Sequence, residues 1–189
     1  MRVVGLTGGI GSGKTTVCKV FELLGTPVFY SDNVSKKILF SESVSKIVVE
    51  KFGKQVLSDK KLSKSNLAKY VFNNKTALFW LNDLLHPLVK QEFDKWLLMQ
   101  DNSYVLKEAA ILFESGVYKS CDVIINVSCS KALRTNRIIQ RDGRSISEIN
   151  AIINKQWTEE ERTEFSDFTI NNSTQKLLPQ IISLHQELL

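Results

Sequence analysis

The stretch Gly8-Gly9-Ile10-Gly11-Ser12-Gly13-Lys14-Thr15 decides the fold of this 189-residue chain. It fits the pattern Gly-x-x-x-x-Gly-Lys-Thr completely, and that pattern forms a loop whose backbone amides bind phosphate groups. Glycines allow backbone conformations that a Cβ would forbid, and a helix that begins at the end of the loop adds its positive dipole end. We therefore expect Lys14 to contact the β- and γ-phosphates of a nucleotide, and the Thr15 hydroxyl to bind Mg²⁺.

The segments on either side of this loop predict a parallel sheet. A β-branched apolar run from Arg2 to Leu6 precedes the loop, and a helical pattern from Thr15 to Leu24 follows it. Gly25 ends that helix, and residues 27–30 form a second short strand. Strand, loop, helix and strand in this order open an α/β fold. Later apolar segments complete a predicted five-stranded parallel sheet of the P-loop NTPase type: residues 104–109, 122–127 and 168–171.

Two segments leave the predicted sheet. Residues 33–99 carry apolar side chains at spacings near three and four, which predicts a helical insertion. Residues 131–165 begin with a helix that Ser130 caps and Gly143 ends, and a second helix is predicted from about Ser147 to Glu161. We interpret this second segment as a helical lid. The P-loop core is then expected in residues 1–32, 100–130 and 166–189.

The composition excludes several classes of protein. Hydrophobic residues make up 43% and charged residues 24%, as in ordinary globular proteins. No apolar run is long enough to cross a membrane, and the chain enters its first strand directly after Met1-Arg2, so no signal peptide is predicted. Three cysteines and two histidines lack metal-site spacing, which favours reduced thiols. We expect a cytoplasmic protein with no membrane partner.

The positive charge is concentrated in the helical insertion. Residues 33–99 hold twelve lysines, no arginines and six acids, a net +6, whereas the remainder of the chain sums to −1. This distribution indicates an anionic partner, either nucleic acid or a phosphorylated small molecule, although a solvated lysine-rich surface gives the same balance. Aromatic residues are not interleaved with the lysines, so we expect no nucleic-acid partner.

Sequence motifs outside the phosphate loop favour a kinase over other P-loop proteins. A GTPase needs Asn-Lys-x-Asp to recognise guanine, and the nearest string, at residues 154–157, lacks the acid. Motor ATPases usually end an apolar strand in Asp or Asp-Glu, whereas the strand at residues 105–108 ends in a single Glu. A kinase requires a base for the acceptor hydroxyl, positive charge for the moving phosphoryl group and exclusion of water.

Asp32 is the candidate base. It follows the second predicted strand, at the sheet edge where the phosphate loop also lies. A carboxylate there can accept the proton of an acceptor hydroxyl. The alternative is a helix N-cap, because Ser31-Asp32 precedes a helical stretch, and both roles are compatible.

Four arginines provide candidate positive charge. Arg134, Arg137, Arg141 and Arg144 recur at spacings of three, four and three, which predicts one face of a helix. Aligned guanidiniums repel one another unless an anion neutralises them, and a triphosphate under a closing lid would do so. The alternatives are a solvated face and pairing with the acids at residues 159–161.

Two further residues have both a functional and a structural interpretation. Glu108 ends the third predicted strand of the core, beside the loop, and can hold a Mg²⁺-bound water or serve as a hydrogen-bonded carboxylate at the core edge. His86 precedes Pro87 inside the helical insertion, where it is either a structural histidine or a substrate contact.

Together these strings resemble the dephospho-coenzyme A kinase family along nearly the whole chain. The resemblance is carried by residues 6–16, Ser31-Asp32, residues 81–88 with Leu84-Leu85-His86-Pro87, residues 108–114, Arg137 to Asp142, Gln156, and residues 167–172 with Asn171-Asn172. It implies transfer of the γ-phosphoryl group of ATP to the ribose 3′-hydroxyl of dephospho-coenzyme A, which is the last step of coenzyme A biosynthesis. It also implies that residues 33–99 bind this acceptor.

The resemblance assigns roles to individual residues. Asp32 matches the proposed base, and Arg137 matches the residue that stabilises the transferring phosphoryl group. Arg141 matches a second phosphate contact, and Lys14 is also expected to be catalytic. Acceptor contacts are expected from Asp32, His86 and Lys36, although Lys36 stands where many members have arginine, which weakens a bidentate contact. Mg²⁺ is expected at Thr15 and Glu108. ATP is expected to contact Gly9, Gly11, Ser12, Gly13, Lys14, Thr15, Thr16, Asn171 and Asn172.

Two other functions stay open from the residues alone. One is a kinase of a different acceptor, such as a nucleoside or nucleoside monophosphate. The other is a nucleotide-dependent regulatory protein that holds RNA on the basic insertion, which would leave Asp32 and the arginines without a purpose. We expect a monomer or a weak homo-oligomer.

Overall fold

Five parallel strands form the central sheet in a computed structural model that describes residues 1–72 and 74–189. The chain divides into two compact units: Met1–Tyr30 with Gln100–Leu189, and Ser31–Met99. The strands in chain order are β1 (Arg2–Thr7), β2 (Val28–Tyr30), β3 (Leu57–Ser58), β4 (Lys61–Leu62), β5 (Tyr104–Glu108), β6 (Val123–Ser128) and β7 (Phe168–Asn171).

Nine helices are assigned among these described residues. They are α1 (Lys14–Leu23), α2 (Ser31–Leu39), α3 (Glu42–Phe52), α4 (Lys64–Phe72), α5 (Lys75–Leu97), α6 (Lys131–Asp142), α7 (Ile146–Ile153), α8 (Glu159–Glu164) and α9 (Leu177–Leu188). Short 3₁₀ turns span Gly53–Val56 and Val117–Ser120. None of the described helices is long and apolar enough to cross a membrane.

The first unit contains the predicted five-stranded sheet, with strand order β2-β5-β1-β6-β7 and all pairs parallel. Tyr30 aligns with Glu108, and Glu108 aligns with Leu6, so β2, β5 and β1 end at the same edge. The phosphate loop follows β1 at that edge. The α/β fold predicted from the sequence is therefore confirmed.

The core of the first unit lies between the sheet and the helices α1 and α9. Leu6 and Ile125 from the sheet, Phe21 from α1 and Ile181 from α9 are fully buried in one apolar cluster. Removing each such side chain from water contributes about 1.5–3 kcal/mol. This packing fixes both ends of the phosphate loop, because β1 precedes it and α1 follows it.

The second unit is helical, apart from a two-stranded antiparallel hairpin of β3 and β4. Its own apolar core includes Phe52, whose ring lies 5.2 Å from Tyr70 and 5.1 Å from Trp80 between centroids. The helical spacing of residues 33–99 is interrupted around Gly53 to Leu57, but it predicted a helical insertion and not a hairpin. The hairpin was missed because each strand has two residues, too few for an alternating pattern.

The lid segment differs from its prediction in two ways. The single helix expected from Ser147 to Glu161 is wrong, because α7 ends at Ile153 and α8 begins at Glu159. Thr158 and Glu161 form a capping box, which satisfies the amides of a new helix start and separates the two helices. Gly143, with φ of 65°, ends α6 and leaves Arg144 outside the helix. Only three of the four arginines therefore belong to α6.

Candidate active site

The phosphate loop takes a conformation that requires glycine. Gly11 and Gly13 have φ values of 79° and 101°, in the left-handed region. A Cβ at Gly11 would lie 2.8 Å from the backbone oxygen of Arg134, and one at Gly13 would lie 2.3 Å from Nδ2 of Asn172. The loop is therefore surrounded closely by α6 and by the segment that follows β7.

Polar groups for a nucleotide are present along this loop. The Lys14 ammonium donates a hydrogen bond of 2.9 Å to the backbone oxygen of Gly8 and so lies across the loop. The hydroxyl of Ser12 is buried without a hydrogen-bond partner among the described residues. Thr15 and Thr16 are exposed in the first turn of α1. The loop thus offers a cation, hydroxyls and a helix N-terminus to a bound anion.

Arg137 and Asn172 contact the backbone of the loop. Arg137 Nη1 lies 3.5 Å from the oxygen of Gly11 and 3.4 Å from that of Ser12, and its Nη2 lies 3.3 Å from the oxygen of Asn172. Asn172 Nδ2 donates to the oxygen of Ser12 at 2.7 Å. Asn172 is a predicted ATP contact and Arg137 the predicted contact of the transferring phosphoryl group, and the structure brings both to the loop. Their contact with ATP stays a prediction.

The neighbouring Asn171 lies one residue from this contact and stabilises its own turn. Its Oδ1 accepts a hydrogen bond from the backbone amide of Ser173 at 2.9 Å, and its own amide donates to Gln180 Oε1 at 2.8 Å. Asn171 thus shapes the segment that presents Asn172, and its predicted ATP contact is not tested.

Arg141 lies at the end of α6 and forms its side-chain hydrogen bonds with Asp142 rather than with the loop. Its side chain is 64% exposed and pairs with Asp142, with Nε 2.7 Å from Oδ1. The hydrogen bond between them raises the pKa of Arg141 and lowers the pKa of Asp142. Exposed pairs of this kind contribute little stability, so the guanidinium exchanges partners readily. The role of Arg141 on phosphate stays a prediction.

Gln156 connects the phosphate loop to the segment after β5. Its Oε1 accepts a hydrogen bond from the amide of Ile10 at 2.9 Å, and its Nε2 donates to the oxygen of Ala110 at 3.0 Å. The adjacent Trp157 stacks on Phe113 with ring centroids 4.8 Å apart. Gln156 lies between α7 and α8, so the break in the predicted helix places it there. Gln156 is among the residues that carry the family resemblance, but the sequence indicated no role for it.

We expect Gln156→Ala to destabilise the fold. The substitution leaves the amide of Ile10 and the oxygen of Ala110 without these partners, and each unsatisfied group costs about 1–3 kcal/mol if water does not replace the bond. Urea unfolding measures the loss. Gln140→Ala on the exposed face of α6 is the matched control. Equal stability of both variants would contradict a structural role for Gln156.

A buried cluster of charged residues lies beside Gly9. Arg134 and Arg162 are 5% and 3% exposed, and a Cβ at Gly9 would lie 2.0 Å from Arg134 Nη1 and 3.0 Å from Arg162 Nη2. Glu159 lies 2.8 Å from Arg162 Nη2 and accepts from Asn126 Nδ2 at 2.9 Å. Arg162 also donates to the backbone oxygen of Trp157. Arg134 is one of the four arginines predicted on a single helix face, whereas no sequence pattern pointed to Arg162.

The Glu159 carboxylate predicts a pH dependence of stability. Burial acts to raise its pKa, but hydrogen bonds from Arg162 and Asn126 outweigh burial and hold the pKa below the ordinary 4.5. A lowered folded-state pKa means that the ionised form stabilises the fold above the ordinary value, and that this stabilisation is lost as the pH falls below it. We expect the free energy of unfolding of Glu159→Gln to decline less steeply below pH 4.5 than that of the wild type.

Urea unfolding across this pH range measures that slope. The exposed neighbour Glu160→Gln is the matched control and is expected to keep the wild-type slope. Parallel slopes for wild type and Glu159→Gln would remove the carboxylate from this role.

A family model described as dephospho-CoA kinase matches residues 2–177. The chain belongs to this family. A dephospho-CoA kinase of Bacteroides fragilis is 38% identical over 184 residues, which cover 96% of this chain and 90% of the relative.

Two solved structures are also similar to this dephospho-CoA kinase family member. A Thermus thermophilus crystal structure superposes with a TM-score of 0.91 at 26% identity, covering 98% of this chain and 96% of that one. Dephospho-CoA kinase from Campylobacter jejuni superposes with a TM-score of 0.70 at 28% identity and the same coverage. The P-loop kinase architecture of the family thus extends over the full chain.

The predicted metal ligands of this dephospho-CoA kinase family member lie in the first unit. Glu108 is buried, with 8% exposure, at the last position of β5, and Thr15 is exposed at the start of α1. The described residues contain no cluster of three or more metal-binding side chains. The oxygens of Thr15 and Glu108 fit a Mg²⁺ ion that binds together with a nucleotide. Phosphates and waters supply most ligands of such an ion, so one or two protein oxygens suffice.

The predicted base and acceptor contacts of the family member belong to the second unit. Asp32 is the second residue of α2 and is exposed, two residues beyond the end of β2. It therefore lies inside the first turn rather than at the N-cap. Lys36 is exposed one turn later in α2, and His86 is partly buried in α5, which continues through Pro87. Their roles stay predictions.

Proposed function

We propose that this chain transfers the γ-phosphoryl group of ATP to the 3′-hydroxyl of the ribose in dephospho-coenzyme A. The observation that carries the proposal is the glycine loop with Lys14, in a chain that matches the dephospho-CoA kinase family over residues 2–177. The loop supplies the nucleotide site, and family membership supplies the acceptor.

The first unit binds the nucleotide. The amides of the loop and the N-terminus of α1 hold the β- and γ-phosphates, and Lys14 moves from the oxygen of Gly8 to the phosphates. Asn172 borders the loop, where its side chain donates to the oxygen of Ser12, and it contacts ATP together with Asn171. Thr15 and Glu108 hold Mg²⁺, which neutralises phosphate charge when it is bound.

Asp32 is the general base in this proposal. It accepts the proton of the 3′-hydroxyl as that oxygen attacks the γ-phosphorus. Its support is its position two residues beyond Tyr30, the end of a strand that is aligned with β5 and β1. Asp32 lies in the first turn of α2, at the helix end that interacts favourably with acidic side chains.

Positive charge on both units serves the two substrates. Residues 33–99 carry a net +6, which suits an acceptor that contains a diphosphate, and Lys36 and His86 contact it there. Arg137 and Arg141 neutralise the charge on the transferring phosphoryl group. Arg141 must leave Asp142 to do so, which costs little for an exposed pair.

We also infer the compartment, the oligomeric state and the partners of the protein. It acts in the cytoplasm as a monomer, with small-molecule substrates and without nucleic acid. Gel filtration with light scattering measures the mass, and a stable dimer at micromolar concentration would contradict the monomer.

A comparison of acceptors tests the function. ADP release is measured with ATP, Mg²⁺ and each of dephospho-coenzyme A, adenosine and AMP. We expect kcat/KM for dephospho-coenzyme A to exceed the other two values by at least about 10³, because the latter lack the groups that the basic unit binds. Comparable values for adenosine or AMP would favour a nucleoside or nucleotide kinase.

A further inference from the structure

A cavity of about 700 Å³ lies beside the phosphate loop, within the first unit. It is lined by the end of β6, the first turn of α6 and the connection from α7 to α8. None of its described lining residues belongs to the loop at residues 8–15. Its charged lining residues are Lys131, Arg134, Glu159, Glu160 and Arg162. The nucleotide function described above does not use this cavity.

Among the described residues, none forms a side-chain hydrogen bond or an ion pair with the Arg134 guanidinium in this cavity. Arg134 is 5% exposed, and its Nε is buried without a hydrogen bond. The nearest carboxylate, Glu159, is already engaged by Arg162 and Asn126. Only one of the two buried guanidiniums thus pairs with this carboxylate, and Nε of Arg162 lacks a hydrogen-bond partner among the described residues.

A buried cation without a partner is costly, because water no longer solvates its charge. Burial, and then repulsion from Arg162, lower the pKa of Arg134. An arginine does not lose its proton in a protein, so the charge persists. The fold therefore carries an excess positive charge where an anion would offset it.

The start of α6 adds to this positive potential. Its first turn contains no acidic residue, and Ser130 and Lys131 at its N-terminus line the cavity. Ser128, Thr158 and Ser173, which carry hydroxyl groups, are also among the lining residues. A helix N-terminus, hydroxyl donors and guanidiniums together are the donor set that binds phosphate oxygens.

We propose that this cavity binds a phosphate group, separate from the nucleotide phosphates on the loop, with Arg134 as its main ligand. The anion is either a free phosphate or diphosphate, or a phosphate group of a larger metabolite. It also steadies the loop, because the Arg134 guanidinium lies against Gly9 and its backbone oxygen lies against Gly11.

Titration calorimetry with pyrophosphate tests the site on the full chain. Lys14→Ala serves as background, since it weakens binding at the loop. We expect this variant to bind one pyrophosphate, and the double variant Lys14→Ala/Arg134→Gln to bind it at least about tenfold more weakly, which corresponds to about 1.4 kcal/mol. Lys14→Ala/Arg144→Gln removes a guanidinium outside the cavity and is expected to keep the affinity.

The titration also separates the sources of the phosphate group. Repeating it with saturating dephospho-coenzyme A identifies that substrate as the source if it displaces pyrophosphate, and a free anion if it does not. Displacement by saturating ATP would place the pyrophosphate on the loop and would overturn the proposal. Absence of binding to Lys14→Ala, or equal binding with and without Arg134, would overturn the proposal.

Thermal unfolding in phosphate-free buffer gives a second, independent readout. If the Arg134 charge lacks a partner, Arg134→Met is expected to raise the Tm by about 2–4 °C and to reduce the further rise that phosphate produces. An arginine that only supports the fold would behave oppositely. A lower Tm for Arg134→Met, with an unchanged response to phosphate, would overturn the proposal even where the calorimetric signal is small.

Discussion

Replacing Asp32 with asparagine is expected to lower kcat for phosphoryl transfer by about 10²–10⁴-fold, while the Kd for ATP stays nearly unchanged. Asparagine keeps the size of the side chain and its hydrogen-bond acceptor, but it cannot accept a proton at neutral pH. The loss therefore falls on the chemical step, because the nucleotide is bound by the loop of the first unit. Steady-state kinetics and calorimetry with ATP measure the two quantities.

The exposed carboxylate Glu42 provides a control for this prediction. It pairs with Lys46 at 2.7 Å on α3, and its side chain is 84% exposed. Glu42→Gln removes the same charge from the same unit and is expected to keep wild-type kcat. Turnover of Asp32→Asn near the wild-type value would remove Asp32 from the base role and would leave the family membership intact.

Lys14→Ala is expected to lower kcat/KM by about 10²–10³-fold and to weaken ATP binding as well. The ammonium is the one charged side chain of the loop itself, and it lies 2.9 Å from the oxygen of Gly8. Bound phosphates compete for this ammonium, and the charge on them grows as the γ-phosphoryl group leaves. The removal of Lys14 thus affects both the bound state and the transition state.

The control for Lys14 is Lys19→Ala on the exposed side of α1. Both variants lose one lysine from the same helix, so a general effect of charge would reduce ATP binding in both. We expect Lys19→Ala to bind ATP as the wild type does. Wild-type activity of Lys14→Ala would mean that the loop does not hold the transferred phosphates.

Comparing Lys14→Ala with Asp32→Asn also separates nucleotide binding from the chemical step. A loss of ATP affinity in Lys14→Ala with no loss in Asp32→Asn assigns nucleotide binding to the loop and chemistry to Asp32. If both variants lose ATP affinity, Asp32 supports the nucleotide rather than the acceptor hydroxyl.

The sheet and the loop could be predicted because their signals are local. The glycine pattern, the apolar strands and the helix that follows are each contained in a few consecutive residues. The contact of Gln156 with Ile10 joins residues 146 positions apart, so no short pattern carries it. The break between α7 and α8, which places Gln156, depends on the capping box of Thr158.

Spacing alone did not place the four predicted arginines correctly, because Arg144 lies outside α6. Spacing predicted one helical face, but it did not show which side chains approach the loop. In the structure, Arg134 and Arg137 lie against the loop, whereas Arg141 pairs with Asp142 at the exposed helix end. Rotation of the helix and its packing against Gly11 decide this, and both depend on tertiary contacts.

The central claim is the transfer of a phosphoryl group from ATP to the 3′-hydroxyl of dephospho-coenzyme A. Incubation of the protein with ATP, Mg²⁺ and dephospho-coenzyme A, followed by mass spectrometry and ³¹P NMR of the acceptor, tests it most directly. We expect a product heavier by one phosphoryl group, with a new phosphomonoester on the ribose 3′-oxygen. An unmodified acceptor, or a phosphate on another oxygen, would contradict it.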